Sequence, residues 1–156
     1  MIQRVLSDFS RVLLFPKDER YEGGLNKLHR EITKDPTYVF FDHFALNQEL
    51  FDFFKALKTR YPVSIFTSEA IQNDKAMRPL LDAAFDHIFS AQELGLVKTQ
   101  KEAYVKIADQ LGTAPDSILY LDDNKANLEA AHDAGLVTMR YSSNRQTIDE
   151  MRNMLP

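Results

Sequence analysis

The sequence predicts an α/β protein with a doubly wound, mostly parallel sheet and helices on both faces. Short apolar runs alternate along the chain with segments whose apolar residues recur at helical spacing, which is typical of strands joined by crossover helices. In addition, two of the apolar runs, Val5–Leu6 and Ile118–Leu121, are each followed closely by acidic residues. Because the carboxyl ends of parallel strands share one edge of a sheet, these acids are expected to meet there.

The composition is that of one globular domain, which we expect to span residues 1–156. The chain is 44% hydrophobic and 27% charged, and its net charge of −4 argues against a nucleic-acid binder. It has no cysteine, which excludes disulfides and thiolate sites and suits the cytoplasm. Charges interrupt the apolar N-terminal stretch, so we expect neither a signal peptide nor a membrane span.

After the first strand the chain departs from strand–helix alternation. Residues from about 15 to 44 contain one short helical pattern, Leu25–Ile32, and we interpret this stretch as an insertion. Apolar residues at helical spacing then predict an amphipathic helix over about 45–60, which ends before Pro62.

The remaining elements are expected to alternate between strand and helix up to the end of the chain. In order they are a strand at 63–66, a helix around 74–84, a strand at 87–89, a helix that stops at Gly112, a strand at 118–121, a helix over 126–134 capped by Asn124, a strand at 137–141 and a helix at 147–154.

Polar residues follow the strands in a fixed order. They are Asp8 after the first strand, Thr67 and Ser68 after the strand at 63–66, Lys98 after the strand at 87–89, and Asp122 and Asp123 after the strand at 118–121. Two carboxylates about 4 Å apart repel one another by roughly 4 kcal/mol at an effective dielectric of about 20. Three carboxylates at one sheet edge therefore predict a divalent metal ion.

In this order, the motifs resemble those of the haloacid dehalogenase-like hydrolase superfamily, which are a nucleophilic Asp, a Ser or Thr, a Lys and an acidic pair. The most specific part runs from Phe89 to Gly135, with Glu-Leu-Gly before the Lys and Asp-Asp-Asn before Asn127. The chain is most similar to the subgroup with phosphoglycolate-phosphatase-like and epoxide-hydrolase phosphatase-like members. The resemblance implies a Rossmann-like sheet whose insertion at about 15–44 is a truncated cap.

The resemblance also implies a metal site and a nucleophile. Asp8 would attack a phosphate ester to form an aspartyl-phosphate, and it would also bind Mg²⁺. The backbone carbonyl of Ser10, Asp123 and, directly or through water, Asp122 would complete the metal ligands. An all-oxygen set of this kind suits Mg²⁺.

A second group of residues would bind the phosphoryl group. A carboxylate that attacks a phosphate ester brings two anions together, so the site needs positive charge beside the metal. The resemblance gives that role to Lys98. Thr67, with Ser68 as an adjacent alternative, would bind phosphoryl oxygens, and Ser10 would face the substrate.

Two departures from the family pattern leave two functions open. Ser10 stands where active phosphatases carry an Asp as general acid and base, a group typically worth about 10²–10⁴-fold in rate. The insertion is also too short for a full cap. The first hypothesis is a Mg²⁺-dependent phosphatase acting on a small phosphorylated metabolite. The alternative is a degenerate member that binds a phosphorylated ligand or a protein partner with little or no turnover.

The insertion contains an aromatic cluster, made up of Tyr38, Phe40, Phe41 and Phe44. One interpretation places these rings in the core. The other places some of them at the mouth of the site or in the contact of a homodimer, because so little cap lies above the site.

Overall fold

The computed structural model describes residues 1–156 as seven strands and eight helices. The strands are β1 (Arg4–Ser7), β2 (Leu14–Pro16), β3 (Phe44–Leu46), β4 (Val63–Thr67), β5 (Ile88–Ser90), β6 (Ile118–Asp122) and β7 (Val137–Arg140). The helices are α1 (Leu25–Ile32), α2 (Phe40–His43), α3 (Gln48–Leu57), α4 (Arg78–Ala84), α5 (Ala91–Leu94), α6 (Lys101–Leu111), α7 (Lys125–Asp133) and α8 (Asn144–Met154). None of these helices has the length and apolar character that crossing a bilayer requires.

Five strands form a parallel sheet in the order β5-β4-β1-β6-β7, which confirms the predicted doubly wound fold. The chain moves outward from β1 first in one direction and then in the other, so β1 lies at the centre. Ser7, its last residue, pairs with Ile65 of β4 and Leu121 of β6. The carboxyl ends of these three strands therefore meet at the topological switch point, where ligands bind in folds of this kind.

Apolar side chains cover both faces of the sheet, because alternate residues of a strand point to opposite sides. Val5 belongs to the larger apolar cluster, which includes residues of α3, α4 and α8. Leu6 belongs to the smaller one, which is formed with α6 and α7. Both residues of β1 are completely shielded from water or nearly so, and burial of each such side chain contributes roughly 1.5–3 kcal/mol.

The segment predicted as a minimal cap contains an antiparallel ribbon and two short helices. Strands β2 and β3 form the ribbon, and α1 and α2 lie between them in the chain. Helix α1 contacts the segment after β4 through one polar face, on which Asn26, His29 and Arg30 lie one turn apart. The side chain of Asn26 accepts a hydrogen bond from the N–H of Ile71 at 3.0 Å. The α1 clamp, as we call these three residues, joins the insertion to the core.

Within the α1 clamp, His29 contacts a buried carboxylate. Its Nε2 lies 2.8 Å from the Oδ2 of Asp74, and the hydroxyl of Tyr38 donates to the same oxygen at 2.5 Å. Asp74 is 7% exposed, so His29 and Tyr38 of the insertion both bind a buried carboxylate of the core. The sequence pattern gives no sign of this contact, because the partners lie 36 and 45 residues from Asp74 in the chain.

Three predicted helix boundaries are wrong by several residues. Helix α3 begins at Gln48 rather than near 45, because β3 continues to Leu46 and the side chain of Asn47 caps the helix. Helix α4 begins at Arg78 rather than near 74, because Asp74 accepts hydrogen bonds from His29 and Tyr38 and residues 75–77 form a turn. Helix α8 begins at Asn144 rather than 147, because a serine directly before it caps the first turn.

Candidate active site

The edge of the sheet brings three carboxylates into one cluster. Asp8 follows β1, and its N–H donates to the carbonyl of Leu121 at 2.8 Å, which extends the pairing with β6 by one residue. Asp122 is the last residue of β6, and Asp123 follows it. One carboxylate oxygen from each of these acids lies within 4.8 Å of the others. The acids that were singled out in the sequence for a metal thus occupy one small volume.

Lys98 lies between two of the acids. Its Nζ donates to the Oδ1 of Asp8 at 2.8 Å and to the carbonyl of Phe66 at 2.9 Å. The Oδ2 of Asp122 lies 3.3 Å from the same Nζ. Although burial opposes the charge, the carboxylates of Asp8 and Asp122 raise the pKa of Lys98 above its ordinary value. Lys98 is therefore a buried ammonium ion.

Asp122 is the most firmly held of the acids and is completely buried. Its Oδ2 accepts hydrogen bonds from the hydroxyl of Tyr120 and from Nδ2 of Asn127, the latter at 3.0 Å. Its Oδ1 accepts from the N–H of Asn124 at 2.8 Å. Burial works against ionisation, but the charge of Lys98 and these hydrogen bonds lower the pKa of Asp122. Asp122 is therefore ionised, and its contacts hold Lys98, Asn124 and Asn127 in position.

The ionised forms of Asp8 and Asp123 are disfavoured by burial and by the charge of Asp122, and the neighbouring protein groups do not fully offset this. Burial raises the pKa of Asp8 to about 7, against the opposing effect of Lys98, and the charge of Asp122 adds to the increase. Burial and the same charge raise the pKa of Asp123 to about 6. With all acids ionised, three carboxylates and one ammonium ion leave two negative charges. One divalent cation neutralises them, and hard oxygen donors are what Mg²⁺ prefers.

Two buried hydroxyls beside the acids have no hydrogen-bond partner. They are the Oγ1 of Thr67, a residue that is 1% exposed, and the Oγ of Ser10. An unsatisfied buried polar group costs roughly 1–3 kcal/mol, so such groups are rare unless a ligand completes them. Thr67 ends β4, whereas Ser68 is exposed and lines the opening above it. Thr67 and Ser68 thus lie at the end of the strand that pairs with β1, with Thr67 buried and Ser68 in the lining of the cleft.

The acids open into a cleft of about 290 Å³. One wall comes from the sheet edge and α7, and the other from the residues after β1 and from α1 of the insertion. The lining residues are Asp8, Ser10, Arg11, Gly24, Leu25, Asn26, Lys27, Arg30, Ser68, Glu69, Asp123, Asn124 and Asn127. Lys98, Thr67 and Asp122 lie deeper and do not line the opening.

The sequence analysis missed the basic residues of the cleft, Arg11, Lys27 and Arg30. Arg30 forms an ion pair with Glu69 across the cleft, as part of the α1 clamp. The available signal was the concentration of basic residues in the short helix of the insertion, together with an Arg placed three residues after Asp8. It was too weak to use, because surface helices commonly carry basic residues.

The aromatic cluster of the insertion lies apart from the cleft. Phe40 and Phe44 are 3% and 1% exposed, and their ring centroids are 4.8 Å apart in the core. Tyr38 is tied to Asp74, and Phe41 is 37% exposed. None of these four rings lines the cleft, so the interpretation that placed some of them at its mouth is wrong. A homodimer contact through the aromatic insertion stays a prediction.

The fold and the acidic cluster define a Rossmann-like α/β protein with an oxygen-donor site at its switch point. The family model for haloacid dehalogenase-like hydrolases matches residues 14–135, and the chain belongs to this family. The match includes Thr67, Lys98 and the acidic pair, and it begins after Asp8.

Individual known proteins share either local sequence or the whole fold with the chain. It is 37% identical over 71 residues to enolase-phosphatase E1 of Lachancea thermotolerans, a match that covers 46% of this chain and 30% of that protein. The structure of a haloacid dehalogenase (HAD) family enzyme of Bacteroides thetaiotaomicron, in complex with magnesium and inorganic phosphate, has a TM-score of 0.67 at 14% identity. The alignment covers 92% of this chain and 96% of that one.

The structure of a predicted HAD-like family hydrolase from Porphyromonas gingivalis has a TM-score of 0.70 at 17% identity, covering 99% of this chain and 98% of that one. At these identities the two structures establish a common fold. The sequence match covers less than a third of the length of the enolase-phosphatase.

Proposed function

We propose that the chain is a Mg²⁺-dependent phosphatase that acts on a small phosphorylated metabolite through an aspartyl-phosphate on Asp8. The observation that carries the proposal is the cluster of three carboxylates around the buried Lys98, at the bottom of a cleft of about 290 Å³. Membership of a hydrolase family and the local similarity to an enolase-phosphatase support it. The volume lies at the small end of ligand pockets, which favours a small metabolite.

The residues that would hold Mg²⁺ are Asp8, Asp123 and the carbonyl of Ser10, with Asp122 behind them. Asp123 lines the cleft and is half-buried, whereas Asp122 already accepts three hydrogen bonds and contacts Lys98. This difference favours Asp123 as a direct ligand and Asp122 as the residue that holds Lys98 in place. When bound, Mg²⁺ would neutralise the acids and polarise the phosphoryl group.

The attack itself belongs to Asp8. Lys98 binds its Oδ1, so the carboxylate is held in one orientation while Oδ2 makes no contact with the lysine. We assign the attack on phosphorus to Oδ2, with the leaving-group oxygen departing on the opposite side and water later releasing phosphate from Asp8. The hydroxyls of Thr67 and Ser68 would donate to the phosphoryl oxygens.

The site has no obvious general acid that could protonate the leaving group. Ser10 has no acidic proton to offer, and the carboxylate of Glu69, which also lines the cleft, is paired with Arg30. Substrates whose leaving group is stable as an anion, such as acyl phosphates and aryl phosphates, are therefore expected to react faster than alkyl phosphates. The lack of a general acid also favours the second candidate, a phosphate-binding protein with little turnover.

Hydrolysis of p-nitrophenyl phosphate and acetyl phosphate, with and without Mg²⁺, separates the two candidates. The phosphatase predicts Mg²⁺-dependent turnover that falls by at least about 10³-fold in Asp8→Asn, because the nucleophile is removed. The matched control is Asp109→Asn on the exposed side of α6, which should retain activity. Turnover in Asp8→Asn equal to that of the unaltered protein contradicts the proposal. No turnover, together with Mg²⁺ binding by calorimetry, favours the binding protein.

A further inference from the structure

We infer that the ligand of the cleft carries a second anionic group besides its phosphate, and that Arg11 and Lys27 bind that group. The inference rests on the proposed function, since it assigns the phosphate to the end of the cleft at Asp8. The opposite wall is basic, because Arg11, Lys27 and Arg30 all line it. Leu25 is the only apolar residue of the lining, so an apolar leaving group would make few apolar contacts in the cleft.

Arg11 is fixed in place by its backbone and by its guanidinium group. Its φ of 61° lies in the left-handed region, which costs roughly 1–2 kcal/mol for a residue other than glycine. Its Nη2 donates to the carbonyls of Tyr21 and Gly23, at 3.1 and 2.7 Å. Both bonds use the same nitrogen, so Nε and Nη1 are left for a ligand. A strained residue whose side chain is held at a cleft is a feature of functional sites.

Lys27 supplies the second positive charge. It is exposed in the first turn of α1, which contains no acidic residue, and it forms no ion pair. Glu31, one turn further along the helix, pairs with Lys34 at 2.9 Å instead. The charge of Arg30 is met by Glu69. Arg11 and Lys27 are therefore the cations of this wall that form no ion pair with a carboxylate.

The size of the cleft limits what lies between the two anionic groups. A volume of about 290 Å³ is below that of most drug-binding pockets. It suits a phosphate and a carboxylate or second phosphate joined by a short carbon chain. Charged hydrogen bonds of this kind also give selectivity, because a neutral analogue leaves the basic groups without a partner.

Binding of phosphonates tests this inference without any turnover. Calorimetry in the presence of Mg²⁺ would compare phosphonoacetate and ethylenediphosphonate, which carry a second anion, with ethylphosphonate, which is neutral at that end, and aminoethylphosphonate, which is cationic. The expected result is that at least one of the doubly anionic compounds binds about tenfold or more tightly than ethylphosphonate. Aminoethylphosphonate is expected to bind most weakly. The better of the two anionic compounds identifies the second group as carboxylate or phosphoryl.

Variants then locate the second anion. Lys27→Met changes an exposed side chain, and Arg11→Gly also relieves the left-handed backbone, so both variants are expected to fold. Each should reduce the preference for the anionic compound by at least about fivefold while leaving ethylphosphonate binding unchanged. Lys34→Met is the matched control, since it removes the same charge just after α1 and away from the cleft.

The inference is overturned by equal affinities for the anionic and neutral phosphonates, by a preference that survives both variants, or by no binding of any phosphonate. The proposed function is tested separately by turnover of p-nitrophenyl phosphate, whose leaving group has no second anion. A phosphatase without this selectivity refutes only the inference. Selectivity without turnover refutes only the catalytic proposal.

Discussion

Lys98 forms ion pairs with Asp8 and Asp122, and no other basic side chain does, so its replacement leaves these two carboxylates without a partner charge. We expect Lys98→Met to abolish turnover and, in the absence of Mg²⁺, to lower the free energy of unfolding by about 3–5 kcal/mol. Addition of Mg²⁺ should restore part of that stability. Urea unfolding with and without Mg²⁺ measures both effects. Lys106→Met, an exposed change on α6, is the control, and a Lys98→Met protein as stable as the unaltered one contradicts the assignment.

Ser10 offers a test of the missing acid. Ser10→Asp should increase the kcat for alkyl phosphates by about 10²–10⁴-fold, because it adds a group able to protonate the leaving oxygen. The gain should be smaller for p-nitrophenyl phosphate, whose leaving group needs no proton. Steady-state kinetics on both substrates checks this. Ser10→Asn has a similar shape without the acid, and an equal gain in that variant shows that proton transfer is not the cause.

The structure explains why the residue roles were only partly predictable. The order of Asp8, Thr67, Lys98 and the acidic pair can be read in the sequence, since each residue ends or follows a strand or a short helix. The place of Arg11 cannot, because it depends on a left-handed backbone and on two carbonyls ten and twelve residues further along the chain. Only the folded loop brings those groups together.

Among the elements, the α1 clamp makes a pH-dependent contribution to stability through Asp74. Burial opposes its ionisation, but hydrogen bonds from Tyr38, from the N–H of Ala76 and from His29 lower its pKa in the folded state. A carboxyl whose pKa is lowered by folding stabilises the protein above the pKa of the unfolded chain, near 3.9, and loses this effect as the pH falls through the folded value.

Asp74→Asn should therefore be less stable than the unaltered protein at neutral pH, with a difference that shrinks as the pH falls below about 4. Chemical denaturation at a series of pH values measures the difference. Asp109→Asn, which lies on the exposed side of α6, should follow the unaltered protein throughout. A difference between Asp74→Asn and the unaltered protein that stays constant with pH shows that the ionised form of Asp74 is not the stabilising one.

Elements with local signals were predicted well, and elements set by distant contacts were not. Leu25–Ile32 matches α1, and Asn124 caps α7 as its sequence pattern indicates. Helix α4 begins late because Asp74, at the predicted start of the helix, instead accepts from partners 45 and 36 residues earlier in the chain. Helical periodicity contains no information about such contacts.

For the whole molecule, Mg²⁺ should act as a stabilising ligand. The acids come from β1 and β6 and meet only in the folded state, so a metal that binds there shifts the folding equilibrium. At one hundred times its dissociation constant the gain is about 2.7 kcal/mol, and a rise in Tm would be seen by calorimetry. Asp123→Asn should remove most of that rise, whereas Asp133→Asn, exposed at the end of α7, should keep it. An equal rise in both variants places the metal elsewhere.

The central position of β1 has a consequence for hydrogen exchange. The N–H of Asp8 donates to the carbonyl of Leu121, beside the pairing of the central strand β1 with β6, so we expect it to exchange with solvent only when this pairing opens. Helix α1 has one buried residue and is joined to the core by the side chains of the α1 clamp rather than by sheet pairing, so we expect its amides to be less protected. Fluctuations that release α1 therefore leave the nucleophile in place. During denaturation, discrimination among ligands should disappear at a lower denaturant concentration than the capacity for chemistry.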